Sequence, residues 1–470
     1  VSLKARRRLK HMLKLSLLPD KLTKYLVAAI ILVVPLYPKF PAIRIPGTFV
    51  SIRLEDFLLA AVAFVVLINL LPRLKEIFKH GIERSMVIYL AIGLVSLLSA
   101  IFLTQTVTPH IGVLHWLRRI EYFVPFFLGT IYVWKNKGRD LEFFVKVFMV
   151  TFILLFVYGV GQRYFHWPVI ITQNEEYSRG VALRWIPGSH INSTFAGHYD
   201  LATFLVLVTP IFVSLLFTLK GKLTRLSLLI VIFSSLWLLA NSVSRISVVS
   251  FLISGSIALS LLRKYKEIAI FLAVSIIFFG FSTDLLARYG RIFEVTKEKL
   301  LIRFIYQIPR SVYAAEEASV RRTNISTPKP TPIPIFEDRS TSIRLNVEWP
   351  RAVRALSKNP LLGTGYSSIT LATDNDYLRL LGEVGILGFI AFSLILLNLV
   401  RTILRVIPIP KNLNSIESAF LAGLAGGTTG IFINAIFIDV FEASKFAIIF
   451  WLLAGLAVGL VRKYKNEQTN

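Results

Sequence analysis

Twelve apolar runs, spaced along almost the whole chain, constrain this sequence more than any other feature in it. They cover residues 25–36, 57–71, 86–103, 120–134, 143–159, 201–219, 226–239, 246–262, 268–281, 380–400, 419–438 and 446–460. A bilayer core is roughly 30 Å thick, and a spanning helix needs about 20 mostly apolar residues. Inside hydrocarbon every backbone polar group must be bonded within the protein, which selects helices for runs of this length. Several runs are short, so flanking residues extend them or the bilayer thins locally. The 470 residues are 55% hydrophobic and mean hydropathy is +0.66, far too apolar for a soluble fold of this length. The expectation is an all-α, polytopic integral membrane protein of about 12 transmembrane helices with a large extracytoplasmic loop.

The formal net charge is +26. In a soluble protein that suggests nucleic acid; here the cations form short clusters between apolar runs, a positive-inside signal, and no nucleic acid is expected. Lys4 to Lys24, Arg73 to Arg84, Lys135 to Arg139, Lys220 to Arg225, Arg263 to Lys266, Arg401 to Lys411 and Arg462 to Lys465 fall in alternate connections. That alternation predicts an even number of spans and a multi-pass inner (plasma) membrane protein with both termini cytoplasmic. The basic start and the first apolar run resemble a secretory signal, but Tyr37-Pro-Lys-Phe-Pro follows, without a small-x-small cleavage site, so a retained span is expected. The chain has no cysteine, which excludes disulfides, thiolate metal sites and a cysteine nucleophile.

The expected organisation is a basic cytoplasmic segment (1–24), nine helices over 25–283 with an outer loop at 162–200, and a large extracytoplasmic loop at 284–373. Three helices over 374–461 and a cytoplasmic tail (462–470) complete it. The large loop far exceeds an ordinary connection, which points to function. Residues 323–334 are Ser/Thr/Pro-rich and read as an extended linker. Residues 300–308 suit an amphipathic surface helix. Arg344 to Lys358 reads as a helix that stops before Asn359-Pro360.

Where that loop re-enters the membrane, Asp374-Asn375-Asp376-Tyr377-Leu378 passes from polar to apolar within a few residues. A carboxylate at such a border sits beside low dielectric yet reaches water and a lipid head group. Asp374 and Asp376 form Asp-x-Asp, which can hold a divalent cation through hard oxygen ligands or cap the following helix. Glu383 follows Arg379 by four residues, the spacing of an intrahelical pair. Ionisable groups near span ends are costly and mark function. Arg245 stands in a tight outer turn after Asn241-Ser-Val-Ser, against the positive-inside trend, and functional use is favoured for it. Arg184, Arg288 and Arg291 lie in outer loops near span ends. Arg118 and Arg119 open the fourth run with Glu121, where a helical ion pair or a snorkelling side chain competes with function. A guanidinium stays charged and offers a planar fork suited to diphosphate oxygens. His190 and His198 are too far apart for adjacent turns of one helix, so they are not expected to share a metal; a structural interfacial role competes with an acceptor contact.

These residues resemble the O-antigen ligase and O-antigen polymerase (Wzy-type) superfamily. The resemblance rests on an Arg-containing helix in the large outer loop (Arg344 to Arg354), on Pro360-Leu-Leu-Gly363-Thr-Gly365, and on Asp374-Asn375 running to Glu383, Gly385 and Gly388. Weaker matches are Ser244-Arg245 and Arg184 with Ser193-Thr-Phe195. Where this chain has Asp374 the family's ligases usually carry His, whereas some polymerase-like members carry Asp-Asn, which tilts the expectation towards polymerase.

The resemblance implies a GT-C-like membrane glycosyltransferase working on an undecaprenyl-diphosphate-linked glycan at the outer face, with an acceptor glycan, lipid or protein. It implies no metal and no cofactor, arginines taking the cation's place. Asp374 and Arg245 would be catalytic, the first as base and the second against the leaving diphosphate. Arg184, Arg288, Arg291, Arg344, Asn375, Asp376, Tyr377 and His198 would bind substrate. A transporter or flippase for lipid-linked oligosaccharide is the alternative; it would reuse the arginines without a base and predicts midplane charge and broken helices. A wall-assembly scaffold without chemistry explains the loop but not the arginines.

Overall fold

The structure is a computed structural model that describes residues 20–38, 42–44, 51–73, 78–170, 184–187, 189–283, 285–286, 289–290, 342–369, 372–407 and 414–469. Among these, helices α1 (Asp20–Leu36), α2 (Leu54–Leu70), α3 (Gly81–Phe102), α4 (Pro109–Asn136) and α5 (Leu141–Tyr164) come first. Then follow α6 (His198–Thr218), α7 (Lys222–Ser242), α8 (Arg245–Leu261) and α9 (Tyr265–Gly280). A short loop helix, α10 (Trp349–Lys358), precedes α11 (Asp376–Leu404), α12 (Ser415–Asn434) and α13 (Ser444–Thr469). A two-residue antiparallel pair, β1 (Ile43–Arg44) with β2 (Ser51–Ile52), joins α1 to α2. The linker at 323–334 and the surface helix expected at 300–308 lie outside the described residues.

Each of the twelve apolar runs overlaps one helix, α10 being the extra one. Seven of the described helices, α3, α5, α6, α7, α11, α12 and α13, are long and apolar enough to cross a membrane; α8 is a shorter apolar helix. Length and composition thus mark seven of the twelve expected spans among the described residues. In α4, which has 28 residues, the first half carries His115, Arg118, Arg119 and Glu121, so the apolar stretch begins only after a charged turn.

Two helices form the centre. The apolar stretch of α13 is wholly buried in protein, and that of α6 is 83% buried. In contrast α3, α5 and α11 turn more than half of theirs outward, as lipid-facing helices do. α13 packs along α4, α12 against α6 and α8, and α11 along α3. Gly423 and Gly427 bring the α12 backbone onto Ile211 and Leu207 of α6, while Gly426 and Gly430 bring it onto Ser254 of α8. Lipid tails satisfy apolar side chains as well as protein does, so this close small-residue packing is what holds such helices together.

The connections meet at two ends. At one, Lys24 pairs with Asp140 (2.7 Å), Arg462 with Glu83 (2.6 Å) and Lys463 with Glu417 (3.0 Å). These are the connections that carry the cation clusters. At the other, the buried Lys445 ammonium donates to the Pro35 and Thr194 carbonyls (3.0 and 2.8 Å). There too Thr106 donates to the Thr364 carbonyl (2.6 Å) and the Ile191 amide to that of Asn241 (3.0 Å).

At this second end the glycine motifs interlock. α11 breaks at Gly385, whose φ is 70°. An unbroken helix would pair the carbonyls of Gly382 and Glu383 with the amides of Ile386 and Leu387. The loop before α11 takes all four groups instead. The amides of Thr364 and Gly365 donate to Gly382 and Glu383 (2.9 and 2.8 Å), and those of Ile386 and Leu387 donate to Pro360 and Leu361 (2.9 and 3.2 Å). The Ser96 hydroxyl of α3 bridges the carbonyls of Leu362 and Glu383. The exchange requires backbone on backbone. A Cβ on Gly363 (φ +67°) would sit 2.5 Å from the Glu383 carbonyl carbon, and one on Gly385 would run into the Leu361 oxygen.

Candidate functional site

The interlock holds the described residues between its two halves, 366–369 and 372–381, against the bundle, and Asp374 lies there. Its backbone is left-handed (φ 49°), uncommon for a residue with a side chain. A reciprocal clasp imposes it. The Asp439 carboxylate, in the connection between α12 and α13, accepts from the amides of Thr373 (2.8 Å) and Asn375 (3.0 Å). The Asp376 carboxylate accepts from those of Val440 (2.7 Å) and Phe441 (3.2 Å). Arg379 reinforces the joint, reaching Asp439 at 3.0 Å, Glu383 at 3.4 Å and the Ile369 carbonyl at 3.2 Å. Asp439→Ala is expected to leave the buried Arg379 charge short of a partner and to cost about 3–5 kcal/mol, read as a fall of several degrees in thermal unfolding of the solubilised protein.

The Asp-x-Asp pair thus diverges. Asp376 is buried with its oxygens on backbone amides, and the helix-capping role belongs to Asn375, whose side chain accepts from the Leu378 amide (2.9 Å). The Tyr377 hydroxyl donates to the Phe432 carbonyl (3.0 Å). Asp374 instead meets a guanidinium: Arg344 donates from Nε (3.0 Å) and Nη2 (2.7 Å), both to Oδ2. Burial pushes the Asp374 carboxyl above the usual carboxylate range; Arg344 pulls it back, and Asp439 adds to the rise. Among the described residues no group of three or more His, Cys, Asp or Glu is arranged to hold a metal ion.

Arg344 opens a wide turn, Arg344–Glu348, closed by a bond from the Trp349 amide back to the Arg344 carbonyl. Such π turns interrupt helices at functional sites. The guanidinium also reaches the Tyr199 hydroxyl (3.4 Å) and sits 5.8 Å from that ring's centre. His198 and Tyr199 begin α6, their rings 4.1 Å apart, and the His190 ring lies 4.4 Å from that of His198. The two histidines, eight residues apart in sequence, are neighbours in space.

A polar chain runs on to α8. The Thr203 hydroxyl donates to the Tyr199 carbonyl (2.8 Å), and Asn434 donates to Thr203 (3.4 Å) and to Ser247 (3.2 Å). Ser247 bonds Ser244 (2.7 Å), the residue before Arg245. Arg245 is half-buried at the first turn of α8, and its carbonyl accepts from the Tyr289 hydroxyl (3.0 Å). The starts of α6, α8 and α11 and the end of α12 therefore share one end of the bundle.

The other cations are placed differently. Arg184 is exposed. Arg288 and Arg291 lie outside the described residues. Arg118 pairs with Asp56 of α2 (2.9 Å) and with Glu121 (3.4 Å), and Arg119 with Glu442. Burial raises the Glu442 carboxyl, but Arg119 and Arg379 outweigh it and hold the group below its usual range. This makes Glu442 an ionic anchor.

Sequence reasoning passed over Tyr199, Glu348, Asp439 and Glu442. Glu348 follows Arg344 by one turn in the amphipathic run and was open to notice. The two acids at 439 and 442 close an apolar run and show their partners only in three dimensions.

Residues 228–393 match the family model described as O-antigen ligase. The match supports the O-antigen ligase and polymerase superfamily, and it spans Arg245, Arg344 and Asp374 together. A search of the curated proteins found no match. That match, on a multi-pass helical membrane protein, supports a membrane glycosyltransferase-like function acting on lipid-linked glycan.

Proposed function

We propose that this protein transfers or polymerises glycan from an undecaprenyl-diphosphate-linked donor onto an acceptor hydroxyl at the extracytoplasmic face of the inner membrane. The observation that carries the reading is the partly buried Arg344–Asp374 pair, set within the stretch that matches the O-antigen ligase family model. In the proposed step the acceptor oxygen attacks the anomeric carbon, the bond from that carbon to the diphosphate oxygen breaks, and the lipid diphosphate leaves with the electron pair. Asp374 takes the hydroxyl proton on Oδ1, since Oδ2 already receives both Arg344 bonds. A carboxylate raised by burial is a stronger base than one in water. Charge grows on the leaving diphosphate, and preorganised guanidiniums stabilise it. Arg245 is assigned that role first, with Arg184, Arg288 and Arg291 as further candidates. Asn375, Asp376 and Tyr377 act on the substrate only through the shape they give the Asp374 turn, and His198 through the aromatic row beside Arg344. No metal enters this scheme.

The reading is tested by replacing Arg245 in protein reconstituted with a lipid-diphosphate donor. Arg245→Ala is expected to lower turnover by about 10²–10³-fold, the loss typical of one transition-state donor. Arg245→Lys should keep part of it if charge alone matters. Full activity of the Ala variant would remove Arg245 from the site.

The alternative, a non-catalytic transporter of the same lipids, draws on the break in α11 at Gly385, because broken helices build transporter sites. Here the freed backbone groups are all taken by the 360–365 loop, leaving none of the four to hold an ion or substrate. A donor that stays intact and yields no transferred product, while labelled lipid crosses the bilayer, would favour the transporter.

A further inference from the structure

The first turn of the loop helix carries polar atoms that no described residue bonds. Glu348 Oε2, Trp349 Nε1 and Arg351 Nη1 are buried and meet no hydrogen-bond partner among the described residues, and so is Thr373 Oγ1, one residue before Asp374. A buried polar atom left unmatched costs about 1–3 kcal/mol, so four around one carboxylate form a concentration that calls for a ligand. Glu348 is within electrostatic reach of Asp374, Arg344, Asp439 and Arg351, and Thr373 adjoins Asp374 in the chain. The Trp349 indole faces the Phe437 ring with centres 6.4 Å apart.

The chemistry of the set narrows the ligand. It offers one carboxylate acceptor, two N–H donors and a hydroxyl able to do either. A phosphate would match the donors but be repelled by Glu348. A cation would match Glu348 but be repelled by the Arg351 guanidinium and leave the indole N–H unpaired. Neighbouring hydroxyl groups, each donating and accepting, match all four. An indole beside them presents an apolar face to the C–H side of a pyranose, as an amphipathic ring does at interfaces. Burial, then Asp374, raise the Glu348 carboxyl to about 7 against the pull of Arg344, so near neutral pH it meets a neutral ligand at little charge cost.

We infer that Glu348, Trp349, Arg351 and Thr373 form a sugar-binding subsite that seats the acceptor glycan beside Asp374. The assignment rests on the glycosyltransferase reading for the word acceptor, but its sugar-binding content stands apart from catalysis. It places acceptor recognition on the loop helix and donor recognition on the bundle.

The test is saturation-transfer NMR on the full protein in nanodiscs with a panel of methyl glycosides of glucose, galactose, mannose, N-acetylglucosamine and rhamnose. At least one is expected to receive saturation from the unsubstituted protein, and Glu348→Gln and Trp349→Phe should each weaken its binding tenfold or more. Glu348→Gln keeps shape, and Trp349→Phe keeps an aromatic face on a smaller ring while removing the indole N–H. Gly280→Ala, whose added methyl meets nothing within 4 Å, should leave glycoside binding within about twofold. Equal binding by the unsubstituted protein, Glu348→Gln and Trp349→Phe would overturn the subsite, as would a panel with no binder. Binding lost in both variants, from a protein that transfers no sugar, would uphold the subsite and sink the transferase reading.

Discussion

Asp374→Asn is expected to cut glycosyl transfer by about 10²–10⁴-fold, the range for removing a positioned general base, while donor binding stays unchanged. The amide is nearly isosteric and its oxygen can still accept from Arg344, so the Arg344 contact and the left-handed turn survive while the proton acceptor does not. The pH profile separates this role from a structural one. Asp374 works as a base only when ionised, and burial raises its pKa. Turnover should therefore climb with rising pH through a point above the ordinary carboxylate range, and fall away on the acid side. In the Asn variant the residual rate should lose that limb. Unchanged turnover, or an acid limb that persists in Asp374→Asn, would retire the base assignment.

Gly385→Ala is expected to destabilise the protein by about 3 kcal/mol or more, combining a backbone conformation essentially confined to glycine (φ 70°, ψ −172°), at about 1–3 kcal/mol, with a collision that repacking cannot relieve. The added methyl would meet the Leu361 carbonyl and the Gly363 amide, both backbone, so neither can swing aside as a side chain does. Gly280→Ala supplies the comparison: a Cβ there meets nothing within 4 Å, and its unfolding midpoint should stay within a degree or two. Thermal unfolding of detergent-solubilised protein reads both. A midpoint for Gly385→Ala equal to that of the unsubstituted chain would mean that the loop and α11 are not joined as described.

The apolar runs were legible because hydrocarbon leaves the backbone so few choices, and each run overlaps a helix. The boundary between helix and span was less so, because α2 and α4 carry Glu55, Asp56, Arg118, Arg119 and Glu121 at the end where the connections crowd. The glycines at 363 and 385 are visible as motif residues, yet nothing in their 22-residue separation announces that they meet backbone to backbone. Asp374 stands out as a carboxylate at a polar–apolar border. Its partner Arg344 lies 30 residues earlier, and only the fold of the intervening loop brings them together. The Asp-x-Asp spacing was ambiguous for a plain geometric reason. Residues two apart across a helix start point in different directions, so Asp376 turns to the 439–441 connection while Asp374 faces Arg344. Asn375 takes the cap because that oxygen must come from the residue just before the first helical one.

The wholly enclosed position of α13 bears on biogenesis. It follows the other twelve described helices and so leaves the ribosome after them, yet among the described spans its apolar stretch is the one wholly buried in protein. Its neighbours α4 and α12 enter the membrane before the element that fills the space between them exists. The cleft between them therefore closes only when α13 enters it, and the same entry carries the connection before it, with Asp439, to the Asn375 amide.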